Sequence, residues 1–218
     1  MSDKPGSGPA VVRVIIEAIG LWWDNTYQFT VINLLWALCW LTVVLGPPAT
    51  FGLYYAAHRV AREEAATVVS LWEGMKRYFV RSWAWMLLNL LVVFIVWLNV
   101  GFYAQFGGAW WATLLQTVFA AFGVGWILVQ FLALPFVMEL KDESLRTALR
   151  NSAFVFIAAP GYVLVLMAVI VALLGASIAL VGPMLFVAAS LVALLGTVAV
   201  RERLAHFRDS AQKPSTSA

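Results

Sequence analysis

Charge is scarce in this chain. Of its 218 residues only 11% are Asp, Glu, Lys or Arg, against 63% hydrophobic, and the mean hydropathy is +0.88. A soluble domain is about one quarter charged, so the composition excludes a water-solvated globule and points to an integral membrane protein. Cysteine is nearly absent. Cys39 stands alone in an apolar run, which excludes an intrachain disulfide and a cysteine metal cluster. Histidine occurs twice, as His58 and His206, each close to an arginine and neither with a second histidine at ligand spacing. No metal or cofactor is therefore expected. There is no Gly-rich phosphate loop, nucleophile elbow or zincin motif, and no convergence of ionisable groups of the kind catalysis needs. Asp142 and Glu143 read as first-turn helix charges with Arg146 and Arg150 as partners a few residues on. The expectation is neither an enzyme nor a nucleic-acid binder.

What is present is a set of long charge-free intervals. Asp24 and Arg59 are separated by 34 uncharged residues, Arg81 and Glu139 by 57, and Arg150 and Arg201 by 50. Basic residues lie on both sides of the two longer intervals, and clustered Lys and Arg mark the cytoplasmic face. Each longer interval then reads as a hairpin that leaves the cytoplasm and returns. Gly107-Gly108 and Gly182-Pro183 supply the helix-breaking pairs. Four spans are expected, over residues 83–106, 110–138, 161–181 and 184–200.

The first interval is too long for one crossing and short for two, since 34 residues of helix reach about 51 Å against a hydrocarbon core of about 30 Å. Gly46-Pro47-Pro48 is expected to break it, because proline cannot continue the hydrogen-bond ladder. Residues 27–45 would span, and residues 49–60, with Thr50 as a cap, would form a shorter helix ending at His58-Arg59. If that helix returns to the cytoplasm there are six membrane segments with both termini inside; otherwise there are five. Six is favoured, because it alone places all 14 Lys and Arg on the cytoplasmic side. The fold class is thus all-α, a polytopic helical membrane bundle of five to six segments with interfacial amphipathic helices. Residues 10–208 form its single membrane domain, and residues 1–9 and 209–218 are polar enough to be disordered.

Two further kinds of segment stand out. Residues 11–23 place Arg13, Glu17, Gly20 and Asp24 on one helical stripe, which suits either an interfacial helix with Trp22 and Trp23 at headgroup depth or a helix packed on the bundle; the run does not fit a signal peptide. Residues 70–77 form a basic amphipathic helix, with Trp72 on its apolar side and Lys76, Arg77 and Arg81 on the other, suited to an anionic inner leaflet. It can be laid over residues 144–151, Ser70 on Ser144, which reads either as a duplication of helix plus hairpin (70–138 and 144–200) or as chance. The four later spans hold no ionisable side chain for proton or sodium coupling. They do hold the amides Asn89, Asn99, Gln116 and Gln130, which read first as interhelical hydrogen-bonding groups and second as the lining of a polar path. The 11 tryptophans read first as an interfacial belt, and Gly123, Gly125 and Gly175 as close helix contacts.

Asn33-Leu34-Leu35-Trp36, Gly46-Pro47-Pro48-Ala49-Thr50, Tyr54-Tyr55, His58-Arg59, Trp72-Glu73-Gly74 and Arg77-Tyr78-Phe79 together resemble the YesL-like family of bacterial multi-pass membrane proteins. The likeness covers about residues 25–91, and Pro48 is an additional proline within it. Family members are encoded beside carbohydrate ABC transporters and two-component regulators. The resemblance therefore implies an accessory or partner-binding subunit in the cell inner membrane, associated with carbohydrate uptake or its sensing, with an ABC permease or membrane sensor as partner. It brings no catalytic residues. The alternative is a small carrier or channel for a neutral solute.

Threading can be checked by cysteine labelling in intact cells. A cysteine at position 107 should react with an impermeant reagent and one at position 76 should not; the reverse pattern would invert the topology.

Overall fold

The computed structural model describes residues 8–140, 142–179 and 185–212. Among them the chain is all-α, with nine helices: α1 (Gly8–Asp24), α2 (Thr26–Leu41), α3 (Gly46–Val60), α4 (Val68–Arg77), α5 (Phe79–Ala104), α6 (Trp110–Glu139), α7 (Leu145–Ala158), α8 (Pro160–Ala179) and α9 (Leu185–Gln212). Three helical stretches are long and apolar enough to cross a membrane: Phe79–Ala104, Trp110–Glu139 and Pro160–Ser177. The first two form the expected hairpin, turned at Gly107-Gly108, where Gly108 takes a φ of 94° that side chains with a Cβ avoid. The expected turn at Gly182-Pro183 lies outside the described residues. Helix α9 does not stop at residue 208 but continues to Gln212, so the first residues assigned to a disordered tail are helical.

The break in the first charge-free interval lies earlier than expected. Helix α2 ends at Leu41, so it has 16 residues and a length of about 24 Å, short of a full crossing. The turn that follows is closed by Thr42, whose hydroxyl donates to the Cys39 carbonyl at 2.7 Å and accepts from the Leu45 amide at 3.2 Å. Gly46-Pro47-Pro48 then starts α3 instead of breaking a helix. Proline fits there because first-turn amides have no intrahelical acceptor and its φ is already helical. Thr50, expected as a cap, sits inside α3 and accepts the indole N–H groups of Trp36 and Trp40, each at 3.2 Å.

Helix α3 is the central pillar. All its residues except Thr50, Tyr55 and Arg59 are buried, and it packs against α2, α4, α5, α6 and α9. Its closest neighbour is α4, which Thr67 starts by a capping box with Ser70. The two helices meet through glycines: a Cβ on Gly52 would lie 2.4 Å from the Leu71 carbonyl oxygen, and one on Gly74 would lie 2.8 Å from the Gly52 Cα. Helix α1 packs on α9 through Val11, Val14 and Ala18 while Ile16 and Trp23 stay exposed, so it is a bundle-packed helix with a second apolar face outward. Of the glycines expected at close contacts, a Cβ on Gly123 would lie 3.0 Å from Val96 Cγ1, whereas one on Gly125 or Gly175 would meet nothing within 4 Å.

The two halves share an order of amphipathic helix followed by two long helices, but not the expected register. Ser144 is the N-cap of α7, whereas its sequence match Ser70 is the third residue of α4, capped by Thr67.

Gly52→Ala and Gly74→Ala should each destabilise the protein by about 1–3 kcal/mol, the usual cost of overpacking, because backbone atoms in the opposing helix cannot give way. Gly20→Ala, at a site with nothing within 4 Å, should be neutral or stabilising by up to about 1 kcal/mol through helix propensity. Thermal melts of purified variants in one detergent check the ordering.

Candidate functional site: the polar end of the bundle

The charged side chains that the apolar helices cannot carry collect at one end. The C-termini of α3, α4 and α6 and the polar part of α9 meet there around a cavity of about 860 Å³. Two carboxylates organise it. Glu139, the last residue of α6, accepts from Arg62 at 3.1 Å and faces His58 Nδ1 at 3.5 Å. Both the Glu139 and His58 side chains are only 9% exposed. Arg59 reaches Glu64 at 2.8 Å and Glu73 at 3.2 Å, which ties α3 to α4. These pairs hold helix ends together where a single exposed ion pair would contribute little.

Glu143 is the second organiser, and here the expected partners do not hold. Its partners are instead Arg77, Arg81 and the Tyr78 hydroxyl, from all of which it accepts. The cause is local: Glu143 has a φ of 48°, and this left-handed residue ends the pairing pattern of a helix first turn. Asp142 does serve α7, accepting from the Ser144 amide at 3.4 Å and the Thr147 hydroxyl at 3.2 Å. Burial alone would raise the Glu143 pKa, but hydrogen bonds from Arg77, Tyr78 and Arg81 outweigh it and hold the carboxyl below the ordinary range. Burial and then the Glu143 hydrogen bond keep the Tyr78 hydroxyl protonated. The hydrogen bond to Glu143 also raises the Arg77 pKa.

These contacts place the residues singled out from sequence. His58 and Arg59 line the cavity, as does Arg77, while Arg81 joins it through Glu143. Lys76 instead lies over the Trp72 ring at 5.2 Å, and Val68, Val69 and Trp72 beside it are exposed. Lys76 and Trp72 therefore carry the outer face of α4, with Arg77 and Arg81 committed to Glu143. Gly46, Pro47 and Pro48 lie at the opposite end of α3, buried, with Gly46 under Trp40.

The membrane amides fall into two groups. Gln130 accepts the Trp85 indole at 2.8 Å, Asn89 accepts the Trp126 indole at 2.9 Å and donates to the Trp85 carbonyl. These are cross-links between α5 and α6, of the kind that satisfies polar groups away from water. Asn99 donates to the Ile95 carbonyl within its own helix, and Gln116 is half-buried on α6. A similar linkage joins α1, α2 and α9, where Trp22 and Asn33 both donate to the Ser190 hydroxyl, at 3.0 and 2.7 Å. Several tryptophans assigned to an interfacial belt are thus internal donors, while Trp23, Trp97 and Trp110 are largely exposed.

The residues missed from sequence are Glu139, Arg201 and Arg208. Glu139 faces a histidine 81 positions earlier, a separation no spacing rule reaches; the available signal was that Glu139 and Arg201 each border a charge-free interval, and Arg208 carried none. Among the described residues no group of three or more His, Cys, Asp or Glu could hold a metal ion. No family model, curated protein or solved structure matches the chain.

A carboxylate held below its ordinary pKa stabilises the fold fully above the unfolded value, about 4.3, and loses that contribution as pH falls through the folded value. Wild-type protein should therefore lose stability on acidification below about pH 4.3 more steeply than Glu143→Gln, which lacks the titrating group. Melting temperatures of both between pH 6 and pH 3 give the comparison; identical slopes would remove Glu143 from the acid response.

Proposed function

We propose that this protein is a membrane subunit that works by binding a partner membrane protein, in line with its resemblance to the YesL-like family and with a setting beside carbohydrate uptake or its sensing. The observation that carries the reading is the state of α5. Of its 26 residues only Ser82 is buried, and Leu91, Phe94, Trp97 and Leu98 stand exposed on it. A helix of a self-sufficient bundle places a whole stripe against its neighbours; α5 touches only α3 and α6 to any extent. Its outer face is available to another protein within the bilayer, and the absence of ionisable groups along the charge-free interval from Arg81 to Glu139 fits a role in association better than one in ion coupling.

The membrane arrangement belongs to the same proposal. The chain lies in the bacterial inner membrane with its C-terminus cytoplasmic. The α2 and α3 pair and the apolar part of α9 complete six segments with the three long helices. The polar end of the bundle then faces the cytoplasm, in keeping with the positive-inside bias. The solute-carrier alternative has less to stand on, because Asn89 and Gln130 are already engaged by tryptophans.

Photo-crosslinking amino acids at Leu91 and Leu98 test the reading in native membranes. The expected result is a stoichiometric adduct with a multi-span permease or sensor subunit. Adducts with lipid alone, together with solute uptake by the purified protein in liposomes, would overturn it.

A further inference from the structure

The cavity at the polar end has a volume of about 860 Å³, within the range of roughly 300–1,000 Å³ usual for small-molecule sites. Most of its lining charges are already matched. Arg59 is held by Glu64 and Glu73, Arg62 by Glu139, and Arg77 by Glu143. Glu202 lies 3.3 Å from the Nε of Arg203, which is buried over the Tyr162 ring at 3.5 Å. What is left is Arg201 and Arg208, both lining the cavity from α9 and both without a carboxylate partner among the described residues, against Glu17 from α1. Positions seven apart lie on one side of a helix, two turns or about 10 Å from each other. Arg201 is close enough to His58 for its charge to act on the imidazole, so the α9 arginines and the end of α3 address the same space.

A second observation comes from the cavity wall. His58 and Glu139, each about nine-tenths buried, face one another at 3.5 Å, and neither His58 Nδ1 nor Glu139 Oε1 has a hydrogen-bond partner. Leaving such groups unsatisfied is costly. A hydroxyl can donate to a carboxylate oxygen and accept from an imidazole N–H at once, so it is the group that satisfies both. A planar guanidinium without counter-charge can donate in bidentate fashion to two oxygens of a phosphate.

We propose that this cavity binds the phosphate ester of a small polyol, with Arg201 and Arg208 holding the phosphate and the His58–Glu139 pair receiving a hydroxyl. The site lies where α6 ends and α9 becomes charged, the depth at which a crossing helix leaves hydrocarbon. A lipid headgroup of the phosphatidylglycerol type and a free polyol phosphate present the same chemistry there. The inference stands apart from the partner-binding reading, since it uses neither α5 nor its outer face.

Full-length protein in nanodiscs of phosphatidylcholine is titrated with radiolabelled glycerol 3-phosphate and with inorganic phosphate. In parallel, phosphatidylglycerol retained through purification is measured by native mass spectrometry. Saturable binding of glycerol 3-phosphate, tighter than that of inorganic phosphate, assigns the site to a free ester; retention of phosphatidylglycerol alone assigns it to lipid. In either case R201Q/R208Q should weaken binding at least tenfold, and Arg208→Gln, at an exposed position that cannot disturb folding, should weaken it several-fold. His58→Ala should erase the preference for the hydroxyl-bearing probe, while Lys76→Gln, outside the cavity, should change nothing. Absence of saturable binding and of lipid retention in the wild type would overturn the proposal, as would unchanged binding in Arg208→Gln.

Discussion

Helix α3 is a short helix surrounded on nearly every side, and the rest of the bundle depends on its being so. Its backbone satisfies itself, its first turn needs no amide at Pro47 and Pro48, and its glycine at position 52 lets α4 approach to backbone distance. Aromatic contacts extend the grip: Phe51 meets Tyr78 and Trp85 with ring centroids 5.8 and 5.9 Å apart, so the start of α5 is fixed against α3. Without that approach, Tyr78 and Arg81 would not be in place to meet Glu143. The packing of one buried helix thereby positions the charged end of the molecule.

Charge and indole groups show a common logic. Where water is absent, every donor needs an acceptor inside the protein, and the chain meets this in two ways. Arginines and glutamates near the ends of α3, α4 and α6 pair across elements, as Arg62 does with Glu139 and Arg77 with Glu143. Its amides and hydroxyls within the apolar helices are matched with tryptophan N–H groups, as Gln130 is with Trp85 and Thr50 with Trp36 and Trp40. Of the buried polar atoms left without a hydrogen-bond partner, some lie elsewhere, such as Gln130 Nε2 and the Arg203 guanidinium, while His58 Nδ1 and Glu139 Oε1 face one another on the wall of the cavity that Arg201 and Arg208 also line.

Much of this was legible in the residues taken one after another. The uncharged run from Arg81 to Glu139 with Gly107-Gly108 in it gave the α5–α6 hairpin, α6 to within a residue and α5 to within four, because length and hydropathy are local properties. The proline pair was visible too, but its role was not. Proline can end one helix or begin the next, and only the turn closed by Thr42 shows that it begins α3. The acidic pair Asp142 and Glu143 divides the same way: Asp142 serves its own helix as a first-turn charge should, while the backbone at Glu143 turns its partners into residues some 60 positions earlier.

By itself the sequence determined the class of the protein, since an 11% charge content cannot solvate a globule. It also determined the helical class and the rough extent of the three long apolar helices, which follow from runs of neighbouring residues. Tertiary structure alone decided which charges share a site. Pairings such as His58 with Glu139 and Arg77 with Glu143 join residues far apart in the chain, and their energy exists only once α3, α4, α6 and α9 have packed and brought their ends to one place.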